Sequence, residues 1–174
     1  GMMVPCSSDS VLSVFNEILV DIGDEQSIAQ SLSTFSAHMK KMNEILESTT
    51  FESLILLDEL GSGTDPKEGS SLAISMINYM KSRGATIIVT THYSDLKTYA
   101  YNTNNVLNAS VEFNSNTLMP TYRLLVGVPG KSNAIEIAKR LGIPEEIINN
   151  SKEYMEDINS GENSELMNNL EEEI

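Results

Sequence analysis

The chain has 174 residues, with 11 Lys and Arg against 25 Asp and Glu, for a net charge of −14. This length suits one domain, and 40% hydrophobic content is enough to bury a core. A single cysteine excludes an internal disulfide framework, no apolar run approaches the roughly 18–20 residues of a transmembrane helix, and the acidity argues against nucleic-acid or anionic-membrane binding.

A secretory leader, with its basic start and apolar stretch, is not seen at the N-terminus, so the expected location is the cytoplasm. The first predicted element is a short strand, Asn16–Asp21, ending at Gly23. A long helix follows, with Ile28, Leu32, Phe35, Met39, Met42 and Leu46 at spacings of three and four. Ser33 or a neighbouring Ser is placed to cap its main part. Ser53–Asp58 is a continuous apolar run ending in acid, the pattern of a strand buried on both faces of a parallel sheet. A loop at Gly61–Pro66 leads to a helix from about Lys67 to Arg83, closed by Gly84. Ala85–Thr90 reads as a second buried strand. Two strand–helix units in series predict an α/β sheet with crossover helices.

Beyond residue 104 the pattern changes. Val106–Phe113 and Thr121–Val126 read as paired strands around an Asn/Ser-rich turn. Helices are predicted from Ser132 to Leu141 and from Glu145 to about Ile158, before an acidic, Asn-rich end. From residue 145 onward there are ten acids and one lysine, so much of the negative charge sits in this last stretch.

The chemistry concentrates where the strands end. Leu54-Ile55-Leu56-Leu57-Asp58-Glu59 is a hydrophobic strand delivering two adjacent acids at its C-terminal end, where α/β sheets hold their ligands. Burying carboxylates without partners costs several kcal/mol, so such acids imply a task. The pattern resembles a Walker B motif. In that role Asp58 would hold Mg²⁺ through water, and Glu59 would polarise the water attacking a γ-phosphate. A strand followed by a solvated acidic turn is the plainer alternative. The Gly- and Ser-rich loop Gly61-Ser62-Gly63-Thr64-Asp65-Pro66 follows, and Thr90-Thr91-His92-Tyr93 falls at the same sheet edge. His92 is placed there to contact a γ-phosphate as a switch.

Taken together, these segments resemble the ATPase domain of the MutS family of mismatch-repair proteins. The likeness covers roughly residues 1–150. It is carried by Asp21–Ser27, by Ser31-Leu32-Ser33-Thr34-Phe35-Ser36-Ala37-His38-Met39, by Leu56–Pro66 and by Thr90–Tyr93. Asp-Ile-Gly-Asp-Glu-Gln-Ser and the Thr-Asp-Pro loop ending are similar to the second bacterial branch, whose members suppress recombination. The resemblance implies a partial P-loop NTPase fold of the ABC type, with a parallel-sheet core and C-terminal helices. It implies an ATPase domain over residues 1–142, then a C-terminal helix and acidic tail over 143–174. Ser33 and Thr34 would begin the signature helix, whose N-terminus reaches the γ-phosphate of ATP held by the other subunit. Asp21–Asp24 would stand at the Q-loop and Gly61–Asp65 at the D-loop, with Asp65 near nucleotide. Further implications are ATP and Mg²⁺ as cofactors, a homodimer, and branched or mismatched DNA, or the ribosome, as partners of the parent protein.

One part of the family pattern is missing. Gly130-Lys131-Ser132 imitates the end of a phosphate-binding loop, yet its first glycine would fall at Leu125, and Pro129 lacks an N–H that the cradle needs. The chain is therefore expected to be a fragment beginning after the P-loop, inactive alone. The strand lost with it would leave a gap between Ala85–Thr90 and Val106–Phe113, inviting rearrangement, swapping or dimerisation. Transporter or chromosome-maintenance ATPases would show a Leu-Ser-Gly-Gly-type signature where this chain has Ser31-Leu32-Ser33-Thr34-Phe35. A non-catalytic interaction module is the rival from another class. It would use an apolar face built from Ile135, Ile137, Ala138, Leu141, Ile143, Ile147 and Ile148.

Overall fold

The computed structural model describes residues 5–23, 34–114, 119–130 and 133–160. The expectations for Ser33, for Asp24–Ser27 and for the helix start at Ile28 lie outside the described residues.

The chain divides into two compact units, Gly1–Val106 and Leu107–Ile174. The boundary after residue 142 expected from sequence lies inside the second, in the turn between its two helices. In the first unit, β1 (Glu17–Asp21), β2 (Ser53–Leu57) and β3 (Thr86–Val89) form a parallel sheet in chain order. The crossovers are α1 (Thr34–Ser48) and α2 (Pro66–Ser82). A third helix, α3 (Ser94–Asn102), follows β3 and was not expected from sequence.

Spacing explains how α1 and α2 pack. Met42 and Ile45 on α1, and Ala73, Met76, Ile77 and Met80 on α2, recur at three- and four-residue steps and are buried. They meet Ile55 and Leu57 of β2, together with the partly buried Leu19, Ile87 and Val89 of the neighbouring strands. The core therefore occupies one face of the sheet.

The other face is a correction to the sequence reading. Register places Ile18, Leu54 and Thr86 in one row across the strands, and Val20, Leu56 and Ile88 in the next. Ile18, Val20 and Ile88 are exposed, and Leu54 and Leu56 only half-buried, so β2 is not buried on both faces. The physical reason lies in the crossovers. Two right-handed connections stepping the same way across a sheet lay both helices on the same side.

The sheet also runs without a gap, β1-β2-β3, leaving β3 at an edge. The expected vacancy beside a strand near residues 106–113 takes another form. In the second unit β4 (Ala109–Asn114) pairs antiparallel with β5 (Met119–Val126) as a separate two-stranded sheet, bulged between Val111 and Phe113. Two helices follow, α4 (Ala134–Arg140) and α5 (Glu145–Ser160). Gly142 ends α4 at φ +87°, and the Gly142 N–H donates back to the Lys139 carbonyl. Of the apolar face foreseen on these helices, Ile148 is buried, whereas Leu141 and Ile147 are exposed. The overall result is a mixed parallel and antiparallel α/β topology of the kind found in part of a P-loop NTPase-like domain.

Candidate active site

The ladder between strands continues past their formal ends. The Asp58 N–H donates to the Asp21 carbonyl at 2.8 Å, and the Thr90 N–H to the Leu57 carbonyl at 2.9 Å. Asp21, Asp58 and Thr90 thus stand side by side at the C-terminal ends of three parallel strands. Thr90 ties the acids together. Its hydroxyl donates to Asp58 Oδ1 and accepts the Glu59 N–H at 3.0 Å. Glu59 sits at φ +48°, a left-handed conformation that side chains disfavour, and its backbone is held there by this bond. The Glu59 side chain is exposed and the Asp58 carboxylate half-buried.

The loop after Glu59 is fastened from two sides. Gly61, at φ +85°, approaches α2 so closely that a Cβ there would stand 2.5 Å from the Gly69 carbonyl oxygen. Only glycine fits both the dihedral and the space. The Tyr93 hydroxyl, buried, donates to the Gly61 carbonyl at 2.8 Å. Gly63 faces the first turn of α1, where an added Cβ would stand 3.5 Å from Phe35 Cβ. Asp65 is the N-cap of α2, and its Oδ1 accepts from the N–H groups of Lys67 and Glu68 at 2.9 and 3.2 Å.

A small pocket opens between α1 and this edge, lined by Asp21, His38, Asp58, Glu59, Leu60, Gly61 and Ser62 among others. On its α1 side, His38 Nδ1 lies 3.0 Å from Asp21 Oδ2.

The residues expected from sequence divide accordingly. Asp58 and Glu59 are adjacent, bridged by Thr90. Asp65 is engaged in capping α2. His92 is exposed two residues beyond Thr90, its ring 4.6 Å from that of Tyr93 and tilted by 46°. Thr34 opens α1, and Ser33 lies outside the described residues. Sequence reasoning missed the Thr90 bridge, the Tyr93 clamp on Gly61 and the His38–Asp21 pair. The first had a signal, because aligning the ends of β2 and β3 sets Asp58 beside Thr90. Gly127, at φ +84°, extends the β4–β5 pairing by one step at its open end, its N–H donating to the Asn108 carbonyl at 2.7 Å. Lys131 and Ser132 lie outside the described residues. Among the described residues, no group of three His, Cys, Asp or Glu side chains could hold a metal ion by itself. No helix among them is long and apolar enough to cross a membrane.

MutS domain V matches residues 1–159. The endonuclease MutS2 of Bacillus cytotoxicus is 57% identical over 164 residues, covering 94% of this chain and 21% of that protein. The endonuclease MutS2 of Clostridium botulinum is 57% identical over 175 aligned residues, 99% of this chain and 22% of that protein. The chain thus spans about a fifth of the length of the curated relatives it matches. With the family matched over nearly its whole length and MutS2 proteins similar across it, the chain belongs to the MutS domain V family, on its MutS2 branch.

Proposed function

We propose that this chain is the part of a MutS2-type ATPase domain that follows the phosphate-binding loop, in an ABC-type P-loop fold. The parent protein would hydrolyse ATP at a dimer interface, in the cytoplasm, to control recombination or mismatch repair. The observation supporting this most directly is the Asp58–Glu59 pair at the end of β2, with Thr90 orienting the first acid and fixing the backbone of the second.

The residues fit Mg·ATP as far as the chain supplies them. Mg²⁺ takes one or two carboxylates and fills its remaining positions with water and phosphate oxygens, so a half-buried Asp58 suffices on the protein side. Mg²⁺ neutralises phosphate charge when bound. Glu59, exposed beside Asp58, is the base that orients a water and accepts its proton as the bond to the γ-phosphorus forms and the bridging P–O bond breaks. His92 is placed as the γ-phosphate contact. Ser33, together with Thr34 that opens α1, would serve the nucleotide of the partner subunit through free N–H groups and the helix dipole. Asp65, which caps α2, would act there by holding the loop.

Homodimerisation belongs to this reading, because the start of α1 and the Gly63 loop would complete a second chain's site. Branched or mismatched DNA, or the ribosome, would engage regions of the parent outside this chain, as would any nuclease activity. A dimerisation module without catalysis is the second reading, favoured by the exposed Leu141 and Ile147. Truncation after Gly142 with sedimentation analysis tests it, since loss of association would assign the dimer to α5. The catalytic reading is tested by Glu59→Gln in the full-length protein. ATP turnover is expected to fall by about a hundredfold or more with nucleotide binding retained. Unchanged turnover would refute it.

A further inference from the structure

We infer that His38 is a positioning residue: paired with Asp21, it sets where the first turn of α1 stands relative to Asp58 and Glu59. The inference deepens the ATPase reading and rests on it.

Asp21 makes two attachments at once. Its main-chain carbonyl accepts the Asp58 N–H at 2.8 Å, and its carboxylate meets His38 Nδ1 at 3.0 Å. One residue at the end of β1 therefore grips both the acid strand and the helix crossing over it. His38 lies one turn along α1 from Thr34, whereas the buried anchors Met42 and Ile45 come in later turns. Apolar contacts tolerate sliding. A hydrogen bond to a carboxylate is directional and stronger than a neutral one, so it fixes the rotation and height of that first turn. Both side chains are largely shielded, 19% and 15% exposed, which limits competition from water. The pair also lines the pocket that Asp58 and Glu59 share. With the start of α1 facing Gly63, the placement of this turn governs the loop after Glu59 as well.

Two measurements test it. In this chain, ¹⁵N NMR of the His38 ring should show a proton on Nδ1 in a hydrogen bond that Asp21→Ala removes. A ring signature indifferent to Asp21→Ala overturns the pairing. In the full-length protein, His38→Leu should lower kcat for ATP about tenfold with KM within about twofold. His38→Asn, whose amide N–H can replace Nδ1–H, should recover most of that loss. Asp21→Ala with His38→Leu should be no worse than either change alone, as for two halves of one interaction. Multiplying losses, or a wild-type kcat in His38→Leu, would overturn the positioning role. So would a loss that merely follows the fraction unfolded in parallel melts. Glu59→Gln is assayed alongside. If it leaves turnover intact, the hydrolysis reading fails, while the NMR result still decides the pairing.

Discussion

Thr90 spends a single hydroxyl on two obligations, donating to Asp58 and accepting from the Glu59 N–H. Replacing it with valine keeps the shape and removes both. Thr90→Val is expected to cost about 1 kcal/mol in urea unfolding, with Thr90→Ser close to wild type. Gly61→Ala should cost more, about 2 kcal/mol or above, because strain at positive φ adds to a clash with the Gly69 carbonyl. Asp65→Ala should cost about 1 kcal/mol as a lost helix cap. At this scale legibility followed chemistry. Asp58 and Glu59 stand out only together with the Gly61–Pro66 loop and Thr90–Tyr93 at the same sheet edge, since four hydrophobes followed by Asp-Glu are common by themselves. The His38–Asp21 pair was hidden, since its partners are seventeen residues apart and no periodicity links a strand end to a helix turn.

Among the elements, the uneven faces of the sheet make a sharp contrast. Ile55 is fully buried, and Ile55→Ala is expected to cost about 2–5 kcal/mol. Ile88 is 59% exposed on the opposite face, so Ile88→Lys should change the stability of this chain by no more than about 0.5 kcal/mol. Denaturant melts of the two variants check which face is the core. A large loss in Ile88→Lys would mean that something covers it. The continuous hydrophobic run of β2 suggested cover on both sides because composition reports what a strand can bury. Which faces are covered depends on where the crossovers go, and that is not written in the strand. The helix α3 escaped notice for another reason. Its nine residues present only Leu96 and Tyr99 to the core, too little for a helical period to emerge. The strands β1 and β3 and the helix α2 were legible nearly to their ends, since Gly23, Pro66 and Gly84 punctuate them.

For the molecule as a whole, charge is the property that decides encounters. The net charge of −14 is weighted toward the residues after 144, and the basic residues form no stripe along the sequence. This chain alone should give no salt-dependent anisotropy change with duplex or branched DNA at low ionic strength. Binding that weakens as salt rises would show that a cationic surface exists. The chain divides into two units after Val106, close to where the sequence pattern changes, whereas the boundary expected from sequence falls after residue 142. The order of strands in the first unit has a consequence for assembly in time. Because β1, β2 and β3 are neighbours in the order in which they are made, each strand leaving the ribosome finds its partner edge already presented. Yet each pairing spans a whole helical crossover, Asp21 to Ser53 and Leu57 to Thr86, so a parallel sheet of this kind pairs slowly and leaves a hydrophobic strand unpaired until the crossover closes.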